Sequence, residues 1–139
     1  MTGKPTVLFL CTHNAGRSQM ALGYFVNLAE GNAVGMSGGS EPADQINPAA
    51  IEVMREVGID ITAEYPKPWS AETVQAADVV VTMGCGDSCP YFPGKRYENW
   101  ELADPAGQSV EAIRPIRDDI EQRVRELLIS LGVAGVVEP

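Results

Sequence analysis

A continuous apolar run in this chain leads directly into a short polar loop, and a helical pattern follows the loop. The apolar run comprises residues 6–10 and the loop residues 11–18. A run without polar alternation is typical of a strand that is buried on both faces of a parallel sheet. Apolar residues then recur at helical spacing over 17–29. The sequence therefore predicts a strand over 5–11, a tight loop, and a helix over 17–29.

The loop between this strand and helix, residues 11–18, is called the anion loop below because its composition suits a tetrahedral oxyanion. The first N–H groups of a helix lack helical partners, and a tight turn before them directs further N–H groups inward. The planar guanidinium of Arg17 can bind two anion oxygens at once. The same positive field stabilises a thiolate, so we expect Cys11 to be nucleophilic. The alternative interpretation is a buried cysteine and a surface arginine.

Strand and helix patterns alternate along the rest of the chain. Gly38-Gly39 is interpreted as a turn, and Pro115 as a disturbance near the start of the last helix. The alternation predicts an α/β fold: a single three-layer domain over residues 1–139, with a central parallel four-stranded sheet in flavodoxin-like order and helices on both faces. Ligands in such sheets bind at the carboxyl ends of strands. The further predicted elements are strands over 33–37, 78–83 and 96–102, a helix from Asn47-Pro48 to Gly58, a helix from Ser70 to Ala76, and a final helix with an apolar face from Ile113 to Leu131.

Composition restricts the class of protein further. The chain has 139 residues, 45% of them hydrophobic, and a formal net charge of -9. An acidic chain of this kind argues against binding to nucleic acid or to an anionic membrane, so an oxyanion must be held by local groups. The N-terminal residues lack a signal-peptide pattern, and we expect a cytoplasmic protein. The three cysteines then indicate redox chemistry, metal binding or burial rather than structural disulfides.

Several motifs together resemble one known family. Residues 11–21 are similar to the N-terminal signature of arsenate reductases built on the low-molecular-weight tyrosine phosphatase fold. The resemblance extends to the end of the final helix. The anion loop is shared with the phosphatases, whereas Gln-Met-Ala after it and a later cysteine pair favour the reductases. The other matching motifs are Asn47-Pro48, Gly58-Ile59-Asp60, Cys85 with Cys89, and Asp104-Pro105.

This resemblance implies a reaction and the residues that perform it. Arsenate, with phosphate or sulfate as competitors, would bind to Arg17 and to the loop amides, and Cys11 would attack arsenic. Ser18 would stabilise the thiolate, and Asp104 would act as general acid. Cys85 and then Cys89 would complete a thiol–disulfide relay that releases arsenite and is recycled by thioredoxin, for arsenic detoxification without a cofactor. The oxyanion-binding residues implied are Thr12, His13, Asn14, Ala15, Gly16 and Arg17.

Two departures from the family pattern matter. Only three residues separate Cys85 from Cys89, fewer than in many members. A disulfide would strain a regular helical turn there, so we expect oxidation to remodel residues 84–93. The order of attack by the two cysteines is open, and a low-molecular-weight thiol with a glutaredoxin-like protein is the alternative reductant. Leu22 replaces an acidic residue that helps some relatives bind potassium, so no metal ion is predicted.

Three other functions remain as alternatives. A protein tyrosine phosphatase would use the same Cys11, Arg17 and Asp104 and leave the later cysteines idle. A binding module would sense an oxyanion or redox state without turnover. A zinc site would need all three cysteines and His13 to converge, which their spacing disfavours. We expect His13 instead to form a local hydrogen bond that shapes the loop.

Overall fold

The computed structural model describes residues 4–84 and 94–133. The strands are β1 (Thr6–Cys11), β2 (Val34–Gly39), β3 (Val79–Thr82) and β4 (Arg96–Asn99). The helices are α1 (Arg17–Ala29), α2 (Pro48–Arg55), α3 (Ala71–Ala76) and α4 (Val110–Ser130). Within the two described ranges, no helix has the length and apolar character that crossing a membrane requires.

The four strands form one parallel sheet in the order β2-β1-β3-β4. This order places β1 in the centre and next to β3, as the sequence predicted. The register aligns Cys11, the last residue of β1, with Gly39 at the end of β2. Leu10 aligns with Thr82 at the end of β3. The predicted α/β fold with a flavodoxin-like strand order is confirmed, and the carboxyl ends of three strands meet at one edge.

Alternate residues of β1 enter two separate cores. Val7 and Phe9 belong to a core with α1, α2 and α4, where the Phe9 ring packs edge-on against Phe25 with 5.4 Å between centroids. Leu8 and Leu10 face a smaller core that includes Val74 of α3. Burial on both faces explains why β1 reads as an unbroken apolar run. It also confirms the predicted three layers.

Side-chain caps define the starts of three helices. Asn47 Oδ1 accepts a hydrogen bond from Ala49 N at 2.9 Å, with Pro48 at the first helical position. Ser70 and Thr73 form a reciprocal capping box at α3. Ser109 Oγ accepts from Ala112 N at 3.2 Å, so α4 starts before Pro115 and continues through it. These caps satisfy N–H groups that a helix start would otherwise leave unpaired.

The interpretation of Gly38-Gly39 as a turn is wrong. Both residues are the last positions of β2, which extends beyond the predicted 33–37. A Cβ on Gly38 would lie 2.9 Å from Trp69 Cα, and one on Gly39 would lie 2.7 Å from Thr12 O. The glycines are therefore explained by the close approach of neighbouring backbone rather than by turn conformation.

An ion-pair cluster joins the end of α2 to α4. Glu56 accepts hydrogen bonds from Arg114 Nη2 at 2.6 Å and from Arg117 Nη1 at 2.8 Å. Arg117 Nη1 also donates to Val53 O at 2.9 Å. The hydrogen bond from Arg114, together with that from Arg117, lowers the pKa of Glu56 from 4.5 to about 2, although burial acts in the opposite direction.

We expect Glu56→Gln to lower the free energy of unfolding at neutral pH and to flatten its dependence on acid. The folded-state pKa of Glu56, about 2, lies below the ordinary value of 4.5. The contribution of the carboxylate is therefore complete above about pH 4.5 and is lost as the pH falls toward about 2. Urea unfolding across this pH range measures the effect. The difference between wild type and variant should shrink as the pH falls.

Glu52→Gln is the matched control. Glu52 lies on α2, one turn before Glu56, and pairs with an arginine, Arg55, at 3.4 Å. Both side chains of this pair are exposed, so the substitution should leave the free energy of unfolding nearly unaltered. Equal pH profiles for the two variants would contradict the role given to the Glu56 cluster.

Candidate active site

The anion loop turns its carbonyl oxygens outward. Because a trans peptide holds its N–H opposite its C=O, the N–H groups of residues 13–16 point to the inside of the loop. Those of Arg17 and Ser18 open α1 and have no acceptor within the helix. The loop thus presents successive N–H donors to one small volume. The oxygens of Thr12, His13, Asn14 and Ala15 accept hydrogen bonds from Glu41 N (2.8 Å), Ala43 N (3.0 Å), Gln19 Nε2 (3.1 Å) and Asn47 N (2.9 Å), respectively.

The Cys11 thiol is buried in this loop beside a serine hydroxyl. Cys11 Sγ lies 2.8 Å from Ser18 Oγ. Asn14 Nδ2 donates to the same hydroxyl oxygen at 2.7 Å. Since that donor occupies a lone pair of the oxygen, the Ser18 hydrogen is free to point at sulfur. A hydroxyl that donates to sulfur is suited to stabilise the negative charge of a cysteine acting as a nucleophile.

The orientation of the Asn14 amide is determined by its other contacts. Asn14 Oδ1 accepts from Lys67 N at 3.0 Å and from Gln19 Nε2 at 3.1 Å. A backbone N–H can only donate, so the oxygen must face Lys67 and the Nδ2 group must face Ser18. Asn14 also has a φ of 51° and is fully buried. Hydrogen bonds at both the nitrogen and the oxygen of the side chain thus hold this residue in its strained backbone conformation.

Gln19 supports the orientation of Asn14 with its nitrogen, whereas its own oxygen lies in an unfavourable environment. Its Nε2 group donates to Asn14 and also to Tyr65 O at 3.2 Å. Its Oε1 atom is buried without a hydrogen-bond partner among the described residues. A buried unpaired amide oxygen is unfavourable. We infer that the side chain is retained for the contacts of its nitrogen.

Arg17 and Asp104 meet at the mouth of the loop. Arg17 Nη2 lies 3.9 Å from Asp104 Oδ1, and the Asp104 side chain is 55% exposed whereas that of Arg17 is 8% exposed. Asp104 Oδ1 also accepts from Ala106 N at 3.0 Å. Asp104 therefore forms a local turn and also faces the candidate site. The structural and functional interpretations of this residue are compatible.

A cavity of about 30 Å³ lies between the loop and the Asp104-Pro105 turn. By the same measure one water needs roughly 10–15 Å³, so the space suits a small group. A Cβ on Gly16 would lie 2.7 Å from Pro105 Cγ, which shows how closely the proline approaches. Asn47 Nδ2 donates to Pro105 O at 3.4 Å and ties this turn to the start of α2. The cavity is lined by Cys11, His13, Ala15, Gly16, Arg17, Asn47, Asp104, Pro105 and Ala106.

The chain that leaves β3 also reaches the loop. Thr12 Oγ1 donates to Gly84 O at 3.2 Å. Gly84 has a φ of 88°, and a Cβ there would collide with Arg17 Nη1. Cys85 and Cys89, the predicted relay pair, lie outside the described residues, as does the predicted remodelling of 84–93 apart from Gly84 itself.

The structure brings the described site residues together and adds several that the sequence analysis did not identify. His13 Nδ1 lies 3.0 Å from Glu41 O, which is the local bond expected of it. Asn14 was predicted only as an oxyanion-binding residue, and its bond to Ser18 was missed. The roles of Gln19, Tyr65 and Lys67 were missed too. No short-range signal identifies Lys67, because it lies 53 positions from Asn14.

Comparisons with known proteins agree with this geometry. Residues 6–135 match the family model of the low molecular weight phosphotyrosine protein phosphatases. A glutaredoxin arsenate reductase from Synechocystis is 37% identical over 91% of this chain and 98% of its own length.

Two solved structures are also similar. A thioredoxin-dependent arsenate reductase from Corynebacterium glutamicum is 40% identical over 96% of this chain, with a TM-score of 0.83. The chain spans 64% of that protein, which is less than two thirds of its length. An arsenate reductase in a phosphate-binding state is 35% identical, covers 91% of this chain and 98% of its own, and has a TM-score of 0.79.

These matches, together with the buried cysteine, the arginine and the inward amides of the loop, confirm the resemblance found in the sequence. The chain belongs to the low molecular weight phosphotyrosine protein phosphatase family, and its relatives of 35–40% identity include proteins named as arsenate reductases.

Proposed function

We propose that this protein reduces arsenate to arsenite, with Cys11 as the nucleophile and Cys85 and Cys89 as a relay that an external dithiol recycles. The observation that carries the proposal is the Cys11 Sγ–Ser18 Oγ distance of 2.8 Å inside a loop of inward N–H groups. That geometry supplies a hydroxyl that can donate to the Cys11 sulfur at the base of a binding site for a tetrahedral oxyanion. The arsenate reductases among the relatives identify the oxyanion.

Capture of arsenate comes first. The N–H groups of residues 13–18 and the Arg17 guanidinium bind its oxygens, while Cys11 lies behind the arsenic atom. Charge-assisted hydrogen bonds of this kind are about twice as strong as neutral ones. Because the overall charge of the chain is -9, this attraction is local rather than a property of the whole surface.

Attack by the Cys11 thiolate forms a sulfur–arsenic bond and expels one arsenate oxygen. That oxygen leaves as water if a proton is delivered to it. Asp104, as the carboxylic acid, is the proposed proton donor and becomes a carboxylate when the oxygen leaves, because its carboxyl group lies 3.9 Å from Arg17 at the open side of the cavity. The product of this step is a covalent Cys11–arsenic adduct in which arsenic is still pentavalent.

Reduction requires a second thiol. The Cys85 thiolate attacks Cys11 Sγ, the sulfur–arsenic bond breaks, and its electron pair stays on arsenic, which leaves as trivalent arsenite. Cys89 then attacks Cys85, releases the Cys11 thiolate and leaves a Cys85–Cys89 disulfide. A reduced dithiol partner takes over that disulfide and restores both thiols. Two electrons thus pass from the partner to arsenic in each cycle.

The position of Gly84 supports this relay. Gly84 contacts Thr12 and Arg17, and Cys85 is the next residue of the chain. Gly84, the residue before Cys85, therefore lies at the rim of the anion loop.

Thioredoxin is the proposed reductant, since a similar solved structure is described as thioredoxin-dependent. A glutaredoxin system is the second candidate, because another relative is named as a glutaredoxin arsenate reductase. Either route needs a reducing compartment, so we propose a cytoplasmic enzyme. We also propose that residues 1–139 act as one domain. Phosphatase activity is the second candidate function, favoured by the family model and by the shared Cys11, Arg17 and Asp104.

We expect serine substitutions to separate the three thiols. Cys11→Ser and Cys85→Ser should release no arsenite, because the first prevents adduct formation and the second prevents its reduction. Cys89→Ser should release one equivalent and then stop as a Cys11–Cys85 disulfide. Arsenite is measured in single and multiple turnover, with hydrolysis of p-nitrophenyl phosphate as a control for an intact anion loop in the Cys85 and Cys89 variants. Normal cycling of Cys89→Ser would exclude the three-thiol relay.

Asp104→Asn should lower kcat for arsenate by about 10²–10⁴-fold, the usual contribution of a general acid. Asparagine can still accept the hydrogen bond from Ala106 N, so the turn is kept and only the proton is lost. Single-turnover arsenite formation measures the effect. Glu101→Gln, at an exposed residue of the same connection, is the control and should leave kcat unchanged. An unaltered rate in Asp104→Asn would remove the residue from the mechanism.

The reductant is tested by multiple turnover with thioredoxin and thioredoxin reductase against glutathione and glutaredoxin. We expect faster turnover with thioredoxin, since the Cys85–Cys89 disulfide is of the kind that a dithiol partner resolves. In the Cys89→Ser variant this coupling should be lost. Faster turnover with glutathione and glutaredoxin in the wild type would instead establish the second candidate.

A further inference from the structure

The segment that contains Lys67 lies directly behind the anion loop. Lys67 N donates to Asn14 Oδ1 at 3.0 Å, and Lys67 O accepts from Gly39 N at 2.9 Å. Pro66 and Pro68 flank it, and a residue before proline is restricted to extended conformations. One residue therefore links the end of β2 to the asparagine that orients Ser18.

The ammonium group of the same residue is surrounded by electron-rich groups. Lys67 Nζ donates to Ser37 Oγ at 3.2 Å and to Tyr65 O at 3.2 Å. It lies 3.7 Å from Glu64 Oε1 and 5.1 Å from the centroid of the Tyr65 ring. The ammonium thus makes two hydrogen bonds, one ion pair and a cation–π interaction. The surroundings are complementary to a cation.

The carbonyl of Tyr65 connects this ammonium to the loop. Tyr65 O accepts from Lys67 Nζ and also from Gln19 Nε2, which in turn contacts Asn14. The backbone and the side chain of Lys67 thus act on Asn14 by two routes, one direct and one through Tyr65 and Gln19. Desolvation lowers the pKa of Lys67, and Glu64 acts in the opposite direction. Partial burial thus penalises the charged form of a side chain whose contacts suit a cation.

We propose that Lys67 is a positioning residue for the nucleophile: its ammonium holds residues 65–67 against β2, and this segment fixes the Asn14 amide that aims Ser18 at Cys11. The proposal deepens the function proposed above and rests on it only for the identity of Cys11 as the nucleophile. Lys67 is not one of the residues that line the cavity.

Removal of the ammonium should act on Cys11 without direct contact. Tyr65 O would lose one of its two donors, and the buried Ser37 hydroxyl would lose a bond partner. With residues 65–67 less constrained, Asn14 Oδ1 would lose a fixed donor and its amide could rotate. Ser18 would then donate less often to sulfur, and the thiolate at Cys11 would be less favoured.

The test uses the full chain with Cys85→Ser and Cys89→Ser, so that Cys11 is the only thiol. The rate of alkylation by iodoacetamide, a neutral reagent, is measured against pH for Lys67→Met and Lys67→Arg. We expect Lys67→Met to move the half-maximal pH upward by about one unit, a tenfold change in thiolate at low pH. Lys67→Arg keeps a cation and hydrogen-bond donors, and should therefore return most of the alkylation profile to that of the protein with Lys67.

Lys95→Met is the matched control. Lys95 Nζ also donates to two carbonyls, Gln75 O at 2.7 Å and Ala77 O at 2.8 Å, but these lie at the end of α3. It should leave the alkylation profile unchanged. Urea unfolding of each variant shows whether the fold is kept. If Lys67→Met does not fold, Ser37→Ala removes only the hydroxyl that the ammonium binds, and a smaller upward shift is expected.

An unchanged profile in a folded Lys67→Met variant would overturn the proposal, and so would an equal shift in Lys95→Met. Failure of Lys67→Arg to restore the profile would also count against it. Alkylation does not require arsenate or a reductant, so these outcomes are independent of the relay. Loss of arsenite formation with a normal alkylation profile would count against the proposed function and leave the role of Lys67 intact.

Discussion

The candidate site depends on the hydrogen bonds of the Asn14 carboxamide. It donates to Ser18 Oγ at 2.7 Å and accepts from Lys67 N at 3.0 Å. A carboxylate could not donate to Ser18, and a hydrocarbon side chain could do neither. Since the oxygen of the amide faces Lys67 and Gln19, its nitrogen must face Ser18, which leaves the Ser18 hydrogen free to point at sulfur. The hydroxyl beside Cys11 Sγ is thus oriented by a third side chain.

The chain concentrates positive potential at one point although it is acidic overall. The net charge is -9, yet the anion loop combines inward N–H groups, the start of α1 and the buried Arg17. Such an arrangement attracts a small anion only at short range. Arg17 itself is only 8% exposed, and the carboxyl oxygen of Asp104 lies 3.9 Å from its guanidinium at the mouth of the loop.

The sequence predicted those elements whose local pattern of apolar residues matches their burial in the folded protein. The unbroken apolar run of β1 and the bounds of α1 follow from burial and helical spacing, and Cys11 and Arg17 follow from their place between them. Gly38-Gly39 was misread because a glycine required by close backbone contact looks the same as one required by a turn. Lys67 was not recognised because its role arises only when residues 53 positions apart become neighbours.

The strand order explains how capture of an oxyanion can be coupled to its reduction. β1 and β3 are neighbours in the sheet, and Met83 N donates to Leu10 O at 2.7 Å, so the chain leaves β3 beside the start of the anion loop. Gly84 follows, and its missing side chain allows it to approach Arg17. Gly84 therefore lies at the rim of the site because of the topology of the sheet. A phosphatase would need the anion loop and Asp104 but no thiol after β3, because water completes its reaction. Thiols placed after β3 can change the second half of the reaction and leave the first half untouched, which is why two activities can share one scaffold.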